Sequence, residues 1–436
     1  MNWGKVKLGE VCRIEKGAIG IQKAIPGEYP MVVTGEERKS HNEFQFDDDA
    51  VLIPLVSGTG HGHASIKRIH FQTGKFALGS ILCAVIPKNN IQLSAEYLFR
   101  FLDLNKENEL VARMKGMANV TLPMKEIAQI ELPLPSLKDQ IQFVKKYKIL
   151  EDKNAQFTSE LNHQLLLVKQ LRQQFLQAAV QGKLVEQNPK DEPASELLKR
   201  IKAEKLKLIA EKKIKKEKEL PPIKAEDIPF EIPDNWVWCR LGEICIKITD
   251  GFHNTPPKVL AGIPYISATH VKSDNIDWEG CHYVEEKFHR ELFIKAYPQK
   301  GELLVVNIGA GCGTPAIINV DYEFSFKNTA ILKFNQNLVI NRLLYYYFLL
   351  TKDKIYITLT KGGLQPFLSL KILNEIYLPL PPIREQIQII EKIEKLMQTC
   401  DELEESIKQS ASQNEKLLQQ VLREALRKEV VEKAMV

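Results

Sequence analysis

Apolar positions along the chain follow two different patterns. Between Pro135 and Gly182, and again after Pro382, there is no Gly or Pro, and apolar residues recur at steps of three and four. This spacing is typical of long helices with a coiled-coil-like stripe. The first stripe comprises Leu137, Ile141, Val144, Phe157, Leu161, Leu165, Val168, Leu171 and Phe175. The second comprises Ile383, Ile387, Ile390, Met397, Cys400, Leu403, Ile407, Leu418 and Val421.

The segments before these stretches, at about 1–131 and 232–377, have a different character. They contain short β-rich runs such as "AVLIPLV", "SILCAVIP" and "ELLVVNIG", separated by Gly, Pro and Asn. Short helical patterns follow late in each segment. This alternation predicts two α+β globular domains.

The chain also repeats itself. "NWGKVKLGEVC" begins at Asn2 and "NWVWCRLGEIC" begins at Asn235, an offset of 233. "LPLPSLKDQIQ" begins at Leu132 and "LPLPPIREQIQ" begins at Leu378, and from there the offset stays at 246. Insertions are tolerated in surface loops but not where two helices must match in length. The fixed offset therefore predicts that the two long helices pack on one another about a pseudo-twofold axis, with a tandem duplication of independent domains as the alternative.

The repeated "LPLP" phrase predicts a junction between a strand and a helix. Each Pro biases the residue before it away from helix, so the phrase itself is expected to be extended. Ser136 and Asp139 then resemble a capping box at the start of the first long helix. The predicted segments are a globular domain at 1–131, a long helix at 132–184, a basic helix and linker at 185–231, a globular domain at 232–377 and a long helix at 378–436.

Composition narrows the class of protein. Hydrophobic residues make up 44% of the 436 positions and charged residues 26%, as in soluble proteins, and no apolar run is long enough for a membrane span. The start of the chain lacks an apolar signal core, so we expect a cytoplasmic protein. The seven cysteines form no C-x-x-C pair, which argues against a disulfide framework or a zinc site. Ten of the twenty residues in 199–218 are Lys or Arg, which indicates either a solvated helix or phosphate contact.

Catalytic motifs are hard to find. There is no G-x-x-x-x-G-K-[ST] phosphate loop and no G-x-G-x-x-G after a strand. "NTPPK" at Asn254–Lys258 only superficially resembles the Asn-Pro-Pro-aromatic motif of DNA methyltransferases. Asp47–Asp49 fits an acidic turn better than a metal site, and His61 with His63 has no nearby carboxylate or Cys. The sequence therefore predicts a binding or specificity module with no metal or cofactor of its own.

Several loops have residues suited to contact with a nucleic acid. Glycines at alternate positions allow close backbone approach to phosphate, and Asn, Gln, His, Thr and Asp can hydrogen-bond base edges. Glycine-rich hairpins, polar turns and helix caps would explain the same residues without a ligand. The candidate DNA-contacting residues are Gly58, Thr59, Gly60, His61, His63, Lys115, Asn119, Thr249, Asp250, His253, Asn254, Thr255, Gly309, Gly311, Thr314, Lys361 and Gln365.

The chain resembles the DNA-specificity subunit of type I restriction-modification systems. The resemblance rests on the doubled "LPLP-x-x-x-x-Q" and "W-x-x-x-x-L-G-E" motifs. It also rests on "LQAAVQGKLVEQNPKDEPASELLKRIKAEK" from Leu176 to Lys205 and "PFEIPDNWVWCRLGEI" from Pro229 to Ile244. It covers essentially the whole chain, although the two globular segments match only in layout.

The resemblance implies that this chain recognises DNA and that partner subunits carry out the chemistry. Each globular domain would be a target-recognition domain that reads one half of a split, asymmetric site on double-stranded DNA, and the long helices would be an antiparallel spacer. Two methylation subunits would bring S-adenosylmethionine, and a restriction subunit would bring ATP and Mg. Docking of these partners is expected at the junctions, with Pro133, Pro135, Gln140, Pro379, Pro381 and Gln386 as candidate residues.

Two alternatives stay open and a third does not. The chain could be the specificity subunit of a related type II system that cuts on both sides of its site. A self-sufficient restriction or methylation enzyme would need methyl-donor and Asn-Pro-Pro motifs in this chain, and they are absent. A coiled-coil scaffold without a DNA role would bind DNA weakly and without the steep salt dependence that phosphate contacts produce.

Overall fold

The computed structural model describes residues 3–58, 63–117, 119–216, 218–252, 255–273, 275–361 and 366–428. The chain divides into two compact units. The first consists of residues 1–163 and 407–436, and the second of residues 164–406. Two long helices, at Leu137–Val180 and Ile383–Lys428, each contribute to both units. Their presence confirms the prediction from the apolar stripes, while the predicted domain boundaries stay a prediction.

The first unit contains short strands followed by helices. Its strands are β1 (Lys5–Lys7), β2 (Cys12–Lys16), β3 (Tyr29–Val32), β4 (Lys39–His41), β5 (Phe46–Asp47), β6 (Ala50–Pro54), β7 (His70–Gln72), β8 (Lys75–Leu78), β9 (Leu82–Pro87) and β10 (Glu131–Pro133). Its α-helices are α1 (Leu8–Val11), α2 (Ala95–Leu104), α3 (Lys106–Glu109), α4 (Met124–Ala128) and the beginning of α5 (Leu137–Val180). Single 3₁₀ turns lie at Ile21–Lys23 and Val111–Arg113.

The centre of the first unit is an antiparallel sheet in the order β2-β9-β6-β7. Val51 and Ile53 of β6 pack in one core with Leu98 of α2. The alternate residue Leu52 packs in a second core with Leu78 of β8, which belongs to the sheet β4-β3-β8-β5. Both faces of β6 are therefore buried, which explains why its sequence is a continuous apolar run with no alternation.

The second unit repeats this order of elements. Its helices are the end of α5, α6 (Ala194–Ala210), α7 (Leu241–Ile244), α8 (Glu286–Ala296), α9 (Asn341–Leu359), α10 (Leu370–Glu375) and the beginning of α11 (Ile383–Lys428), with 3₁₀ turns at Ala225–Asp227 and Ala268–His270. Its strands are β11 (Val237–Arg240), β12 (Lys247–Asp250), β13 (Ile263–Ser267), β14 (His282–Val284), β15 (Leu303–Val306), β16 (Pro315–Ile317), β17 (Ser325–Lys327), β18 (Thr329–Lys333) and β19 (Tyr377–Leu380).

The central sheet of the second unit has the order β12-β18-β15-β16, and a smaller sheet has the order β14-β13-β17. Leu303 and Val305 of β15 pack with Phe348 of α9, whereas Leu304 and Val306 face the core that includes the smaller sheet. Each unit therefore has a helix on one face of its central sheet and a second sheet on the other. This agrees with the predicted α+β class and with the predicted repeat.

The strand-to-helix junction is the same in both units, down to its register. In the first unit β1 pairs with β10, with Lys5 opposite Pro133. In the second β11 pairs with β19, with Trp238 opposite Pro379. These two pairs are related by the sequence offsets of 233 and 246. The "LPLP" phrase is thus extended, as predicted, because it forms the exit strand beside the strand that enters the domain.

The long helices run antiparallel within each unit. In the first unit Phe143 and Tyr147, near the start of α5, lie in one core with Leu422, near the end of α11. In the second unit Leu176, near the end of α5, lies with Ile393, near the start of α11. Early residues of one helix meet late residues of the other in both cases, which confirms the predicted pairing.

Helix α6, the predicted basic helix, has one buried face. Ala194, Leu197 and Ile201 belong to the core of the second unit. At the edge of this face Lys202 forms an ion pair of 2.6 Å with Glu243. The segment is therefore partly packed on the second unit.

Within the described ranges, no helix has both the length and the apolar character needed to span a bilayer.

Candidate nucleic-acid interface

The candidate loops of the first unit lie at one end of its central sheet. Strand β2 ends at Lys16, opposite Cys83, and β6 ends at Pro54, opposite Leu82 at the start of β9. Because antiparallel neighbours start and end at the same edge, the loops that follow β2 and β6 emerge together. The glycine-rich loop begins directly after β6.

Backbone hydrogen bonds join this glycine-rich loop to the Lys-Gly loop that precedes α4. The N–H of Ser57 donates to the carbonyl oxygen of Val120 at 2.9 Å, and the N–H of Leu122 donates to that of Leu55 at 2.9 Å. Two loops more than fifty residues apart in sequence are therefore one continuous surface.

The Lys-Gly loop is itself a closed turn. Lys115 and Thr121 exchange backbone hydrogen bonds of 2.7 and 2.8 Å. Gly116 has φ +124°, and a Cβ atom there would lie 2.3 Å from the carbonyl oxygen of Asn119. Only glycine fits this position without strain. The turn leaves Asn119 exposed at its tip.

The second unit brings the corresponding loops together in the same way. The N–H of Leu368 donates to the carbonyl oxygen of Asn307 at 2.7 Å, and the N–H of Gly309 donates to that of Pro366 at 2.8 Å. Lys361 and Phe367 close the second Lys-Gly turn with bonds of 3.0 and 2.8 Å. The sequence predicted these loops separately, and their convergence is a finding of the structure.

The third predicted loop of the second unit, after β12, reaches the same end of the sheet. The N–H of Gly251 donates to the carbonyl oxygen of Thr329 at 3.3 Å, and the N–H of Phe252 donates to that of Phe326 at 2.9 Å. A Cβ atom at position 251 would lie 2.0 Å from the oxygen of Phe326. This close approach of two backbones requires glycine.

The predicted contact residues of this third loop differ in their accessibility. Thr249 is only 4% exposed, inside the strand β12. Asp250 accepts a 2.6 Å bond from Lys295, and the Thr255 hydroxyl accepts one from Lys327. The side chains of Asp250 and Thr255 are therefore bound by lysine ammonium groups, whereas the Thr249 side chain takes part in packing.

The predicted residues of the glycine-rich loops occupy tight turns. In the first unit Gly58 donates to Ser65 at 2.9 Å, and the Ser57 hydroxyl donates to the backbone oxygen of His63 at 2.6 Å. In the second unit Thr314 donates to Gly311 at 3.0 Å. Both arrangements fit the glycine-rich hairpin that stood as the alternative. The predicted residues Thr59, Gly60, His61, His253, Asn254 and Gln365 lie outside the described residues.

One candidate cation is paired within the chain. Lys115 Nζ lies 2.6 Å from a carboxylate oxygen of Glu126, and both side chains reach solvent. The hydrogen bond and charge of Lys115 hold the pKa of Glu126 below its usual value. The carboxylate is therefore ionised at neutral pH and competes with any phosphate for this lysine.

The junction residues predicted to dock a partner are largely enclosed by the chain itself. The Gln140 side chain is fully buried, donates to Pro135 and Gln92 at 3.0 and 2.9 Å, and accepts from the N–H of Ser94 at 2.8 Å. Gln386 is equally buried and makes the matching bond to Pro381 at 3.0 Å.

The other four residues predicted to dock are prolines of the exit strands. Pro135, Pro379 and Pro381 are buried, and Pro133 is half-buried. The junctions thus have a structural explanation, and docking of a partner there stays a prediction.

Sequence reasoning missed polar residues at the sheet end of the second unit. Asn307 Oδ1 and Thr329 Oγ1 are enclosed and have no hydrogen-bond partner among the residues that the structure describes. Their sequence signal was weak: Asn307 is a single polar residue that closes the apolar run "ELLVV".

A basic cluster in the first unit was also missed. Arg38 Nη1 lies 3.2 Å from His70 Nδ1, and Arg68 pairs with Glu36 at 2.7 Å. Burial, with the charges of Arg38 and Arg68, lowers the pKa of His70 to about 4, so this imidazole is neutral at physiological pH. The cluster precedes β7 at the same sheet end.

In the described parts of the chain no group of His, Cys, Asp and Glu is arranged to hold a metal ion.

A family model described as "Type I restriction modification DNA specificity domain" matches residues 1–167 and 233–413. These two ranges cover well over half of the chain and coincide with its two repeats. The chain belongs to this family. The pseudo-repeat of the structure is therefore the repeat of its specificity domain.

Curated relatives agree with the family. The EcoAI type I restriction enzyme specificity subunit of Escherichia coli is 33% identical over 278 residues, 60% of this chain and 44% of that protein. The chain thus spans less than half the length of this relative. The EcoDI specificity subunit, also from Escherichia coli, is 23% identical over 99% of this chain and 89% of its own length.

Solved structures share the fold over nearly the whole chain. The HsdS subunit from Thermoanaerobacter tengcongensis matches with a TM-score of 0.52 at 17% identity, over 98% of this chain and 97% of that one. A chain from a structure of complex assembly and conformational transition of the type I R-M system matches with a TM-score of 0.58 at 17% identity, over 97% of each chain. Together these matches show that the fold of this chain is shared with those structures.

Proposed function

We propose that this chain is the DNA-specificity subunit of a type I restriction-modification complex, in which each globular domain reads one half of an asymmetric split target on double-stranded DNA. The observation that supports this best is the loop cluster that recurs at the same sheet end of both units. In each cluster a glycine-rich loop is bonded to a Lys-Gly turn. The two clusters have different side chains, which is why the two half-sites are expected to differ.

The two long helices act as the spacer between the half-sites in this proposal. Support comes from their antiparallel packing within each unit and from their fixed offset in sequence. Ion pairs also fix the position of one helix along the other: Arg172 of α5 binds both Asp401 and Glu404 of α11, at 2.6 and 2.8 Å. A pair of helices locked in this way would hold the number of unread base pairs constant, as dimer geometry does for operator half-sites.

Chemistry would come from partner subunits. We expect two methylation subunits, which bind S-adenosylmethionine and modify adenine, and a restriction subunit that uses ATP and Mg. The doubled junction supports two equivalent docking places. We expect the chain to act in the cytoplasm and to select the DNA sequence on which these enzymes act. The target base would be flipped into the pocket of a partner subunit.

The test is selection from a randomised duplex library with the chain co-purified with its methylation subunit. We expect retained duplexes to share two different short motifs separated by a constant gap. A palindromic motif would contradict the asymmetric reading. An uninterrupted motif, or no motif, would contradict the function.

Two alternatives make different predictions. The subunit of a related type II system would give the same split motif but would copurify with a single enzyme that cuts on both sides of it. A scaffold without a DNA role would bind DNA weakly, and its binding would not fall steeply between about 50 and 200 mM salt.

A further inference from the structure

The turn between β17 and β18 lies at the centre of the loop cluster of the second unit. The backbone N–H groups of Asn307 and Ile308 donate to the carbonyl oxygen of Asn328 at 3.1 and 3.4 Å. On the other side Phe252 forms a bridge with Lys327. Asn328 and its neighbour Lys327 therefore contact both the glycine-rich loop and the loop that follows β12.

Asn328 has an unusual backbone conformation. Its φ is +58°, in the left-handed region that non-glycine residues rarely adopt and that Asn tolerates better than most. Its side chain is half-buried, and the structure records no hydrogen bond to it among the described residues. Strained residues of this kind cluster at functional sites. The backbone of Asn328 is thus held by the bonds from Asn307 and Ile308, while its carboxamide is free to bond to a ligand.

The equivalent turn of the first unit has different chemistry. There Ile19 forms the bridge, with Gly79, in the place of Phe252 and Lys327. Ser80 follows Gly79, and its N–H donates to the Ile19 carbonyl oxygen at 2.9 Å. The second unit therefore presents an ammonium and a carboxamide where the first presents a glycine and a hydroxyl. A position that differs between the two domains at the centre of each cluster is suited to distinguish their targets.

We propose that Asn328 is a specificity-determining residue, whose carboxamide reads a base edge in the half-site bound by the second domain. Adenine is the base expected, because its N6 donor and N7 acceptor match an Asn side chain. Lys327, which lies beside it and bonds to the Thr255 hydroxyl, would contact the adjacent phosphate. This inference rests on the proposed function.

The experiment uses two variants in the selection from randomised duplexes, each co-purified with the methylation subunit. Asn328→Gly keeps the left-handed backbone and removes the carboxamide. Asn328→Asp keeps the shape and replaces the amide donor with an acceptor. We expect Asn328→Gly to lose roughly tenfold or more of the preference at one adenine of the second half-site. With Asn328→Asp, that position should shift toward cytosine, whose N4 donor suits a carboxylate.

The matched control is Ser80→Gly at the equivalent turn, which should leave the second half-site unchanged. The first half-site and the gap should be the same in both Asn328 variants as in the wild type. If the wild-type chain selects a split motif and Asn328→Gly selects the same one, the inference is wrong and the proposed function stands. Loss of both half-sites together, with a lower melting temperature, would show that Asn328 is structural. A wild-type chain that selects no split motif would overturn both.

Discussion

Close backbone contact at a few glycines holds the candidate loops in place. Gly251 lies where a Cβ atom would be 2.0 Å from the carbonyl oxygen of Phe326, and a Cβ atom at Gly17 would lie 2.2 Å from the carbonyl oxygen of Gly79. These two glycines follow equivalent strands of the two units. In both domains the chain after this strand therefore packs so closely on another backbone segment that only glycine fits.

We expect Gly251→Ala to lower the free energy of unfolding by about 2–3 kcal/mol, because the methyl group must displace a backbone carbonyl. The measurement is chemical denaturation of the full chain. Gly311→Ala is the matched control from the same loop cluster, since its nearest neighbours would be 3.7 and 3.8 Å from the new Cβ. Equal stability of the two variants would contradict the contact seen at Gly251.

The buried glutamines of the junctions allow a second prediction. Replacing Gln140 by Ala leaves Ser94 N–H and two carbonyl oxygens without their partner, and an unsatisfied buried group costs about 1–3 kcal/mol. We therefore expect Gln140→Ala and Gln386→Ala to lower the melting temperature clearly. Gln388→Ala is the control, because Gln388 is exposed on the same helix as Gln386. Unchanged melting temperatures, with loss of partner binding, would favour the docking role.

The ion pair between Lys115 and Glu126 allows a prediction about DNA affinity. Glu126→Gln frees Lys115 from its carboxylate, so we expect tighter binding of DNA and a salt dependence steeper by about one phosphate contact. Lys115→Gln should weaken binding of all sequences alike and reduce the slope by a similar amount. The measurement is a titration of DNA at several salt concentrations. Identical slopes in the two variants would place Lys115 away from the DNA.

Individual contact residues were the hardest feature to predict from sequence. Thr249 was expected to read DNA, but both Ile248 and Thr249 are buried, because β12 has cores on its two faces. A strand buried on both faces shows no alternation that would mark the accessible side. Asn328, which we propose as a contact residue, was not singled out from the sequence, since a left-handed φ has no signature beyond the residue type.

Among elements, those that depend on local spacing were predicted well and those that depend on distant partners were not. The apolar stripe of α5 recurs about once per helical turn, so local spacing alone predicts the helix. The phrase at Leu132 could be called extended from its prolines, but its partner strand Lys5–Lys7 is more than 120 residues away. Side-chain pattern does not encode such a pairing, and the same holds for the parallel contact of β3 with β8.

The spacer role of the long helices is open to a direct test. Seven residues, close to two turns, inserted after His163 in α5 and after Ser406 in α11 would leave each compact unit intact. At ~1.5 Å per residue the helices lengthen by about 10 Å, so we expect the gap in the selected DNA motif to grow by about three base pairs. The two half-sites should keep their sequences.

Insertion into α5 alone is the control for the spacer experiment. It makes one helix longer than the other between the two compact units, and we expect the split motif to disappear. A gap that keeps its length after the paired insertion would show that something other than these helices sets the spacing.

At the scale of the whole molecule, the repeat would explain how one chain reads two different sequences, as in the function proposed above. The junctions are the constant part: β1 with β10 and β11 with β19 pair in the same register, and each is followed by a long helix. The loop clusters are the variable part, as the turns at Gly79 and Lys327 illustrate. In the proposed function, a fold that separates the two parts would allow the DNA target to change while the junctions stay the same.

This separation predicts the result of a domain exchange. Residues 6–132 can be replaced by residues 239–378, because Val6 pairs with Leu132 as Cys239 pairs with Leu378, so each graft point falls within a matched strand pair. The exchanged chain has two copies of the second domain on antiparallel helices. We expect it to select a palindromic split motif, made of two inverted copies of the second half-site, in the same library experiment. The single-site variant Asn328→Gly in both copies should then relax the same base in both halves. Two half-sites in direct repeat would contradict the antiparallel arrangement, since only an inverted pair of domains reads inverted sequences.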